Sequence, residues 1–215
     1  MKTPLTFVHT ADIHVKTFQD LINQYAPQLD VMHLVEPSYL AHAQKVGIDE
    51  TLVKRLTSDI EALTKSNQMI VVTCSSIGGV AEAMDGTNGC GVQRIDRAMA
   101  DLAVQQGNKI LVLAALESTL EPTRQLLEDS RLALNSSASV SVQLVDGAWA
   151  YFQRGEQVKY LNAISQAIQG NASRYDLIVL AQASMSGVSA LHDYEIPVLS
   201  SPNLGVLRAI QSLLS

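Results

Sequence analysis

Short apolar runs alternate with amphipathic stretches along this chain, the pattern of βαβ units wound around a mostly parallel sheet. Strands are expected near residues 5–9, 31–35, 69–73, 109–115, 140–145, 177–181 and 198–199. Leu52, Val53, Leu56, Ile60 and Leu63 fall on one face at helical spacing, so a helix opens at Asp49 and Glu50 and runs to about residue 66. A second carries Met99, Leu102 and Ala103 inward, with Asp96 as its cap and Gly107 as its stop. Pro122 fits the first turn of a third helix, where a missing N–H costs nothing, and Leu126, Leu127 and Leu134 continue its apolar face. The last helix starts near Pro202. Together these elements predict an α/β fold.

Residues 85–91 are dense in turn formers (Asp85, Gly86, Thr87, Asn88, Gly89, Cys90, Gly91), which predicts a loop and a crossing between two lobes. A second crossing is expected in 196–203, where Pro197 and Pro202 flank a short strand. The halves echo each other. Each ends a buried strand in small polar residues, Thr73-Cys74-Ser75-Ser76 in one and Ala181-Gln182-Ala183-Ser184 in the other.

With 215 residues, 47% of them hydrophobic, the chain can bury one substantial core or two small ones. A net charge of −6 without clustered Lys and Arg argues against a nucleic-acid partner. Apolar runs are interrupted well short of the roughly 20 residues that span a bilayer, so no membrane association is expected. The two cysteines, Cys74 and Cys90, and a start without a signal-peptide run predict a reduced, cytoplasmic setting.

Cys74 stands where a strand gives way to a helix, the place where open α/β sheets bind ligands. The N–H groups of Ser75, Ser76, Ile77 and Gly78 could hold a carboxylate there, and the positive end of the helix dipole would favour a thiolate. A thiolate can act as base or nucleophile. The other reading is a free cysteine buried as a small hydrophobe.

The segment Val71-Val72-Thr73-Cys74-Ser75-Ser76-Ile77-Gly78 resembles the first-cysteine motif of the aspartate/glutamate/hydantoin racemases. Further similarities follow in the family's order: Arg94 to Ala100, Ile110 to Ala114, Glu117 to Pro122, Asp176 to Met185 and Pro197 to Gly205. The resemblance covers most of the chain. It implies two similar lobes, residues 1–92 plus 200–215 carrying Cys74 and residues 93–199 carrying Gln182, with the active site in the cleft. It also implies cofactor-independent racemase or isomerase chemistry beside the carboxylate of a small amino acid, hydantoin or dicarboxylate, and a homodimer. In such enzymes one cysteine from each lobe faces the substrate carbon, and oriented donors carry the charge of the intermediate. Carried onto this chain, Cys74 is the catalytic residue. Thr10, Ser75, Ser76, Ser118, Thr119, Gln182, Ala183 and Ser184 contact the substrate.

Two positions depart from the family pattern. Gln182 stands where the second cysteine is expected, and Ala115 where a threonine is. Glutamine exchanges no proton near neutrality, though its amide can donate and accept hydrogen bonds. Racemisation needs both faces, so a one-cysteine lyase or decarboxylase, or a non-catalytic carboxylate-binding protein, stays open. His9 and His192 are the candidates for a second proton donor. Cys90 reads as a loop residue.

Asp12 and His14 have the D-x-H spacing of metal ligands, but the acidic, Asn-His and His-x-His motifs that such centres need are missing, so no metal is expected. Neither G-x-G-x-x-G nor G-x-x-x-x-G-K-[ST] occurs. Ser184 and Ser186 lack the G-x-S-x-G frame of a serine hydrolase.

Overall fold

A computed structural model describes residues 2–214, which divide into two compact units. The first comprises residues up to Asp96 together with those from Pro202 onward, and the second runs from Arg97 to Ser201. Both crossings thus lie slightly later than the expected lobe limits of 92/93 and 199/200. The reason is a strand that the sequence pattern does not announce. Gly91–Arg94 is too short and polar to read as an apolar run, yet it pairs with the first sheet and keeps the 85–91 loop inside the first unit.

In the first unit the strands are β1 (Thr3–His9), β2 (Val31–Val35), β3 (Asn67–Val72) and β4 (Gly91–Arg94), all parallel in the order β2-β1-β3-β4. Helices α1 (Ile13–Tyr25), α2 (Pro37–Val46), α3 (Glu50–Thr64) and α4 (Gly78–Glu82) connect them. The Asp49 carboxylate accepts from Leu52 N–H at 2.9 Å, satisfying one of the unpaired donors at the start of α3. Leu52, Leu56 and Ile60 are buried against Val8, Ile70 and Val72, the packing that their spacing predicts.

The second unit holds α5 (Arg97–Gln106), β5 (Lys109–Ala114), α6 (Leu120–Ala133), β6 (Ser139–Leu144), α7 (Ala148–Gln153), α8 (Gln157–Asn171), β7 (Leu177–Leu180) and β8 (Val198–Ser200). Its sheet is again parallel, in the order β6-β5-β7-β8. Leu111, Leu113, Ile178 and Leu180 pack with Tyr160, Ile164 and Ile168 of α8. Leu126 and Leu127 are buried, but Leu134 is 41% exposed because α6 has already ended. The final helix, α9 (Ser201–Leu214), returns to the first unit. Among the described residues no helix is long and apolar enough to cross a membrane.

Candidate active site

β3 ends at Val72, and the chain turns through Thr73, Cys74, Ser75 and Ser76 into α4. Thr73 N–H donates to Val8 O at 3.0 Å, which anchors the turn to β1. Thr10, Ser75 and Ser76 are buried, while Cys74 keeps partial exposure. The Cys74 sulfur is bonded by the hydroxyls of Thr10 and Ser76 and by the N–H groups of Ser76 and Ile77. Burial raises the thiol pKa, and these donors pull it down without reversing the sign. The thiol is therefore the resting form, which corrects the expectation that a helix end favours the thiolate. With only five residues in α4, the dipole behind the sulfur is small.

A buried ion pair supports this turn. Arg94 Nε lies 2.6 Å from Asp96 Oδ1 and Arg94 Nη2 lies 3.1 Å from Oδ2, a two-pronged contact with both side chains sequestered. Arg94 Nη2 also donates to Ser75 O at 3.3 Å, and the Ser75 hydroxyl bonds the Asp96 carboxylate. Burial opposes the charged form of Asp96, yet the Arg94 guanidinium and the Ser75 hydroxyl hold its pKa below the ordinary range. Asp96 thus spends its carboxylate on Arg94 and Ser75, and Ser75 positions the Cys74 turn instead of offering a free hydroxyl. Space for the guanidinium comes from Gly78, where a Cβ would lie 2.9 Å from Arg94 Cβ. Sequence reasoning places Arg94 and Asp96 in a similar segment, gives Asp96 only the part of a helix cap and gives Arg94 none. Two opposite charges two residues apart at a strand end are the signal that was there to be used.

His9 is fully buried and both ring nitrogens are occupied. Nδ1 is 2.8 Å from Thr73 Oγ1, Nε2 is 2.9 Å from His33 Nδ1, and His33 Nε2 is 3.1 Å from Gln19 Oε1. Since Gln19 Nε2 donates to Asn23 at 2.9 Å, His33 Nε2 donates to Gln19 and His9 Nε2 to His33. That leaves His9 Nδ1 as the acceptor facing the Thr73 hydroxyl, whose oxygen also lies 3.2 Å from Val8 O. Burial, and then the neighbouring His33 and His14, lower the His9 pKa to about 3. His9 therefore holds no proton to give near neutrality. Cys90, expected as a loop residue, lies between the 87–89 turn and β4, and its side chain is fully buried in the core. Asp12 precedes α1, and burial lowers the His14 pKa to about 4. Among the described residues no group of three or more His, Cys, Asp or Glu could hold a metal ion.

In the second unit, Ala181 N–H donates to Leu113 O at 2.9 Å, and the chain leaves β7 extended at Gln182 (φ −119°, ψ 141°). The Gln182 side chain reaches the end of β5, where its Oε1 accepts from Ala115 N–H at 2.8 Å. Its Nε2 is buried and has no hydrogen-bond partner among the described residues. Ala183 is buried. The Ser184 hydroxyl lies 2.8 Å from the buried Tyr160 hydroxyl, whose pKa burial raises well beyond neutrality. Ser118 and buried Thr119 occupy the turn that leads into α6. His192 is exposed beside Tyr194, with ring centroids 6.1 Å apart. The site residues named from sequence thus gather into two strand-end clusters. Thr10, Cys74, Ser75 and Ser76 lie in the first unit, and Ser118, Thr119, Gln182, Ala183 and Ser184 in the second.

No family model and no curated protein matches the chain. Solved structures do. A Yersinia pestis protein described as a candidate Asp/Glu racemase superposes with a TM-score of 0.74 at 18% identity, covering 100% of both chains. The allantoin racemase of Klebsiella pneumoniae gives 0.70 at 15% identity, over 99% of this chain and 88% of its own. Unliganded arylmalonate decarboxylase gives 0.57 at 13% identity, over 98% and 93%. At such identities the likeness is one of fold, and the chain is built on the α/β fold that Asp/Glu racemases, allantoin racemase and arylmalonate decarboxylase share.

Proposed function

We propose that this chain is a racemase-type enzyme, independent of metal and pyridoxal cofactors. It moves a proton beside the carboxylate of a small amino acid, hydantoin or dicarboxylate by means of Cys74. The observation that carries this reading is the Cys74 sulfur, set at a strand end among the Thr10 and Ser76 hydroxyls and the N–H groups of Ser76 and Ile77. Those donors stabilise negative charge next to the sulfur, whether on a thiolate or on substrate oxygens. The fold shared with racemases supports the same reaction class. A homodimer, and a reduced cytoplasmic setting that keeps Cys74 unpaired, belong to the same reading.

Gln182 favours a second reading. Its amide offers no ionisable proton where the resemblance expects one, and a resting thiol on Cys74 is already a proton donor. One-sided protonation of an enediolate after carbon dioxide leaves needs that single donor and no more. Incubation in deuterated water with aspartate, glutamate, hydantoins, maleate and arylmalonates separates the two. Exchange at the alpha carbon with loss of chirality supports racemisation, and gas release that yields a single enantiomer of the product supports the lyase. Ligand-induced stabilisation without exchange or turnover on any of them would reduce the chain to a binding protein.

A further inference from the structure

The first unit holds a cavity of about 560 Å³, lined by none of the residues that bond the Cys74 sulfur. β1 and β2 run side by side there, with Val8 opposite Leu34, and Tyr39 of α2 and Ile60 of α3 pack in the same core cluster as Val8. Val8, Leu34, Ile60 and Leu63 give the cavity an apolar floor. Arg55, Asp59 and Ala62 recur at helical spacing, so they share one side of α3 and edge the opening. A space of this size suits a small organic molecule.

Its polar rim consists of Glu36, just past the end of β2, with Tyr39, Arg55 and Asp59. The Arg55 guanidinium lies over the Tyr39 ring, 4.9 Å from its centroid, at 3.5 Å from Glu36 Oε2 and 3.8 Å from Asp59 Oδ2. The Tyr39 hydroxyl donates to Asp59 Oδ2 at 2.6 Å. Both contacts fall on that one oxygen, which leaves Oδ1 able to accept another. Burial, and then the bond to Asp59, raise the Tyr39 pKa, so the phenol stays a neutral donor. The Ser38 hydroxyl and N–H, at 2.5 and 3.2 Å, hold the Glu36 pKa below the ordinary carboxylate range. Two carboxylates thus face one guanidinium, an excess of one negative charge. The other basic groups of α2 and α3 do not offset it. Lys54 pairs with Glu50 at 2.7 Å, His42 is bonded to Asp49 at 2.8 Å, and Lys45 lies in the last turn of α2. None of the three lines the cavity, and nor does the exposed Glu61.

We propose that this cavity binds a primary amine on an apolar chain, with the ammonium at Asp59 and Glu36 and the chain along Val8, Leu34, Ile60 and Leu63. The site is separate from the proton-transfer reading and uses none of its residues. An ammonium cancels the excess charge of the rim, whereas a carboxylate would double it beside two like charges. A neutral alcohol of the same length buries the same chain and leaves the excess as it is. Because Glu36 and Asp59 are about half-exposed, the charge preference is that of a surface ion pair, and the chain supplies most of the affinity.

Hexylamine, hexanol and hexanoate, each titrated against the full chain and followed by amide NMR shifts, test it. Hexylamine should move the Glu36, Tyr39, Arg55 and Asp59 amides saturably and leave the indole signal of Trp149, in the other unit, in place. It should bind about fivefold more tightly than hexanol, the ratio that one exposed ion pair can produce, and hexanoate should bind more weakly than either. Asp59→Asn should lower the hexylamine affinity about fivefold while leaving hexanol nearly unchanged. Ala62→Trp, a change at an exposed helix position, should block the opening and weaken both compounds. Cys74→Ser should leave all three titrations as they are, so loss of proton transfer and loss of this site are read separately. No saturable shift with hexylamine, equal affinity for the three compounds, shifts confined to residues outside the cavity, or undiminished hexylamine binding by Asp59→Asn or Ala62→Trp would each overturn the proposal.

Discussion

The side-chain carbonyl of Gln182 accepts the backbone N–H of Ala115 at 2.8 Å, which fixes the amide so that its NH2 group faces away from the strand end without a partner. One residue thus satisfies the backbone at the end of β5 and presents a neutral donor at the end of β7. Gln182→Ala should remove both effects. The unpaired Ala115 N–H should cost about 1–3 kcal/mol, read from urea unfolding of the variant beside the parent protein. Gln182→Cys restores a thiol but leaves the same N–H unpaired. It should raise racemisation relative to one-sided exchange while lowering stability, and chirality measured alongside deuterium uptake checks the first part.

Cys74→Ser keeps the size of the side chain and removes its acidity. Proton transfer should fall by roughly 10²- to 10⁴-fold while the melting temperature stays close to that of the parent protein. Because burial raises the thiol pKa, alkylation of Cys74 should reach half-maximal rate at a higher pH than a free thiol does. A reaction that needs the thiol as acid loses rate as pH rises through that value, and one that needs the thiolate gains rate. The kcat/KM profile decides which.

Arg94 and Asp96 share one buried pair, so removing either charge strands the other. Asp96→Asn should destabilise the protein by roughly 3–5 kcal/mol, as breaking buried pairs does. Ser75 would also lose its anchor. Replacing both partners, as in Arg94→Met with Asp96→Asn, should recover part of the stability but not the activity, since the Cys74 turn would remain unsupported. Unfolding free energies and deuterium exchange on all three variants test this.

The histidines set an acid limit. His9 and His14, with pKa values lowered to about 3 and about 4, stay neutral in the folded state at pH values where unfolded chains bind a proton. The unfolded state therefore binds more protons below about pH 6.5, and stability should fall with falling pH from there toward pH 4 and 3, by up to about 1.4 kcal/mol per pH unit for each histidine. Asp96 acts in the same direction at lower pH. Its lowered pKa contributes stability above the unfolded carboxylate value, and that stability is lost as the pH drops through the folded one. His9→Asn should flatten the slope between pH 6.5 and 4 in a series of chemical denaturations.

Gly205 lies inside α9, where alanine ordinarily stabilises a helix by about 1 kcal/mol. Here a Cβ would sit 2.1 Å from the carbonyl oxygen of Ile95, so the sign should invert. Gly205→Ala should cost about 1–3 kcal/mol, the usual penalty for overpacking, and thermal unfolding of that single variant measures it.

What the chain states by itself is its periodicity and its punctuation. Val31–Val35 matches the expected strand end for end, Leu52, Leu56 and Ile60 lie inward at helical spacing, and Pro202 marks the start of the last helix, because burial of apolar faces and backbone stereochemistry act locally. Cys74 at a strand end could be read in the same way. β4 could not, since Gly91–Arg94 has no apolar run and owes its pairing to the strand beside it. Only the tertiary structure decided that His9 is saturated by Thr73 and His33, that Ser75 belongs to Arg94 and Asp96, and that Gln182 answers Ala115. Each of these facts is a hydrogen bond between residues distant in sequence, and the direction and occupancy of such a bond depend on which groups the fold brings within 3 Å, roughly the length of one bond.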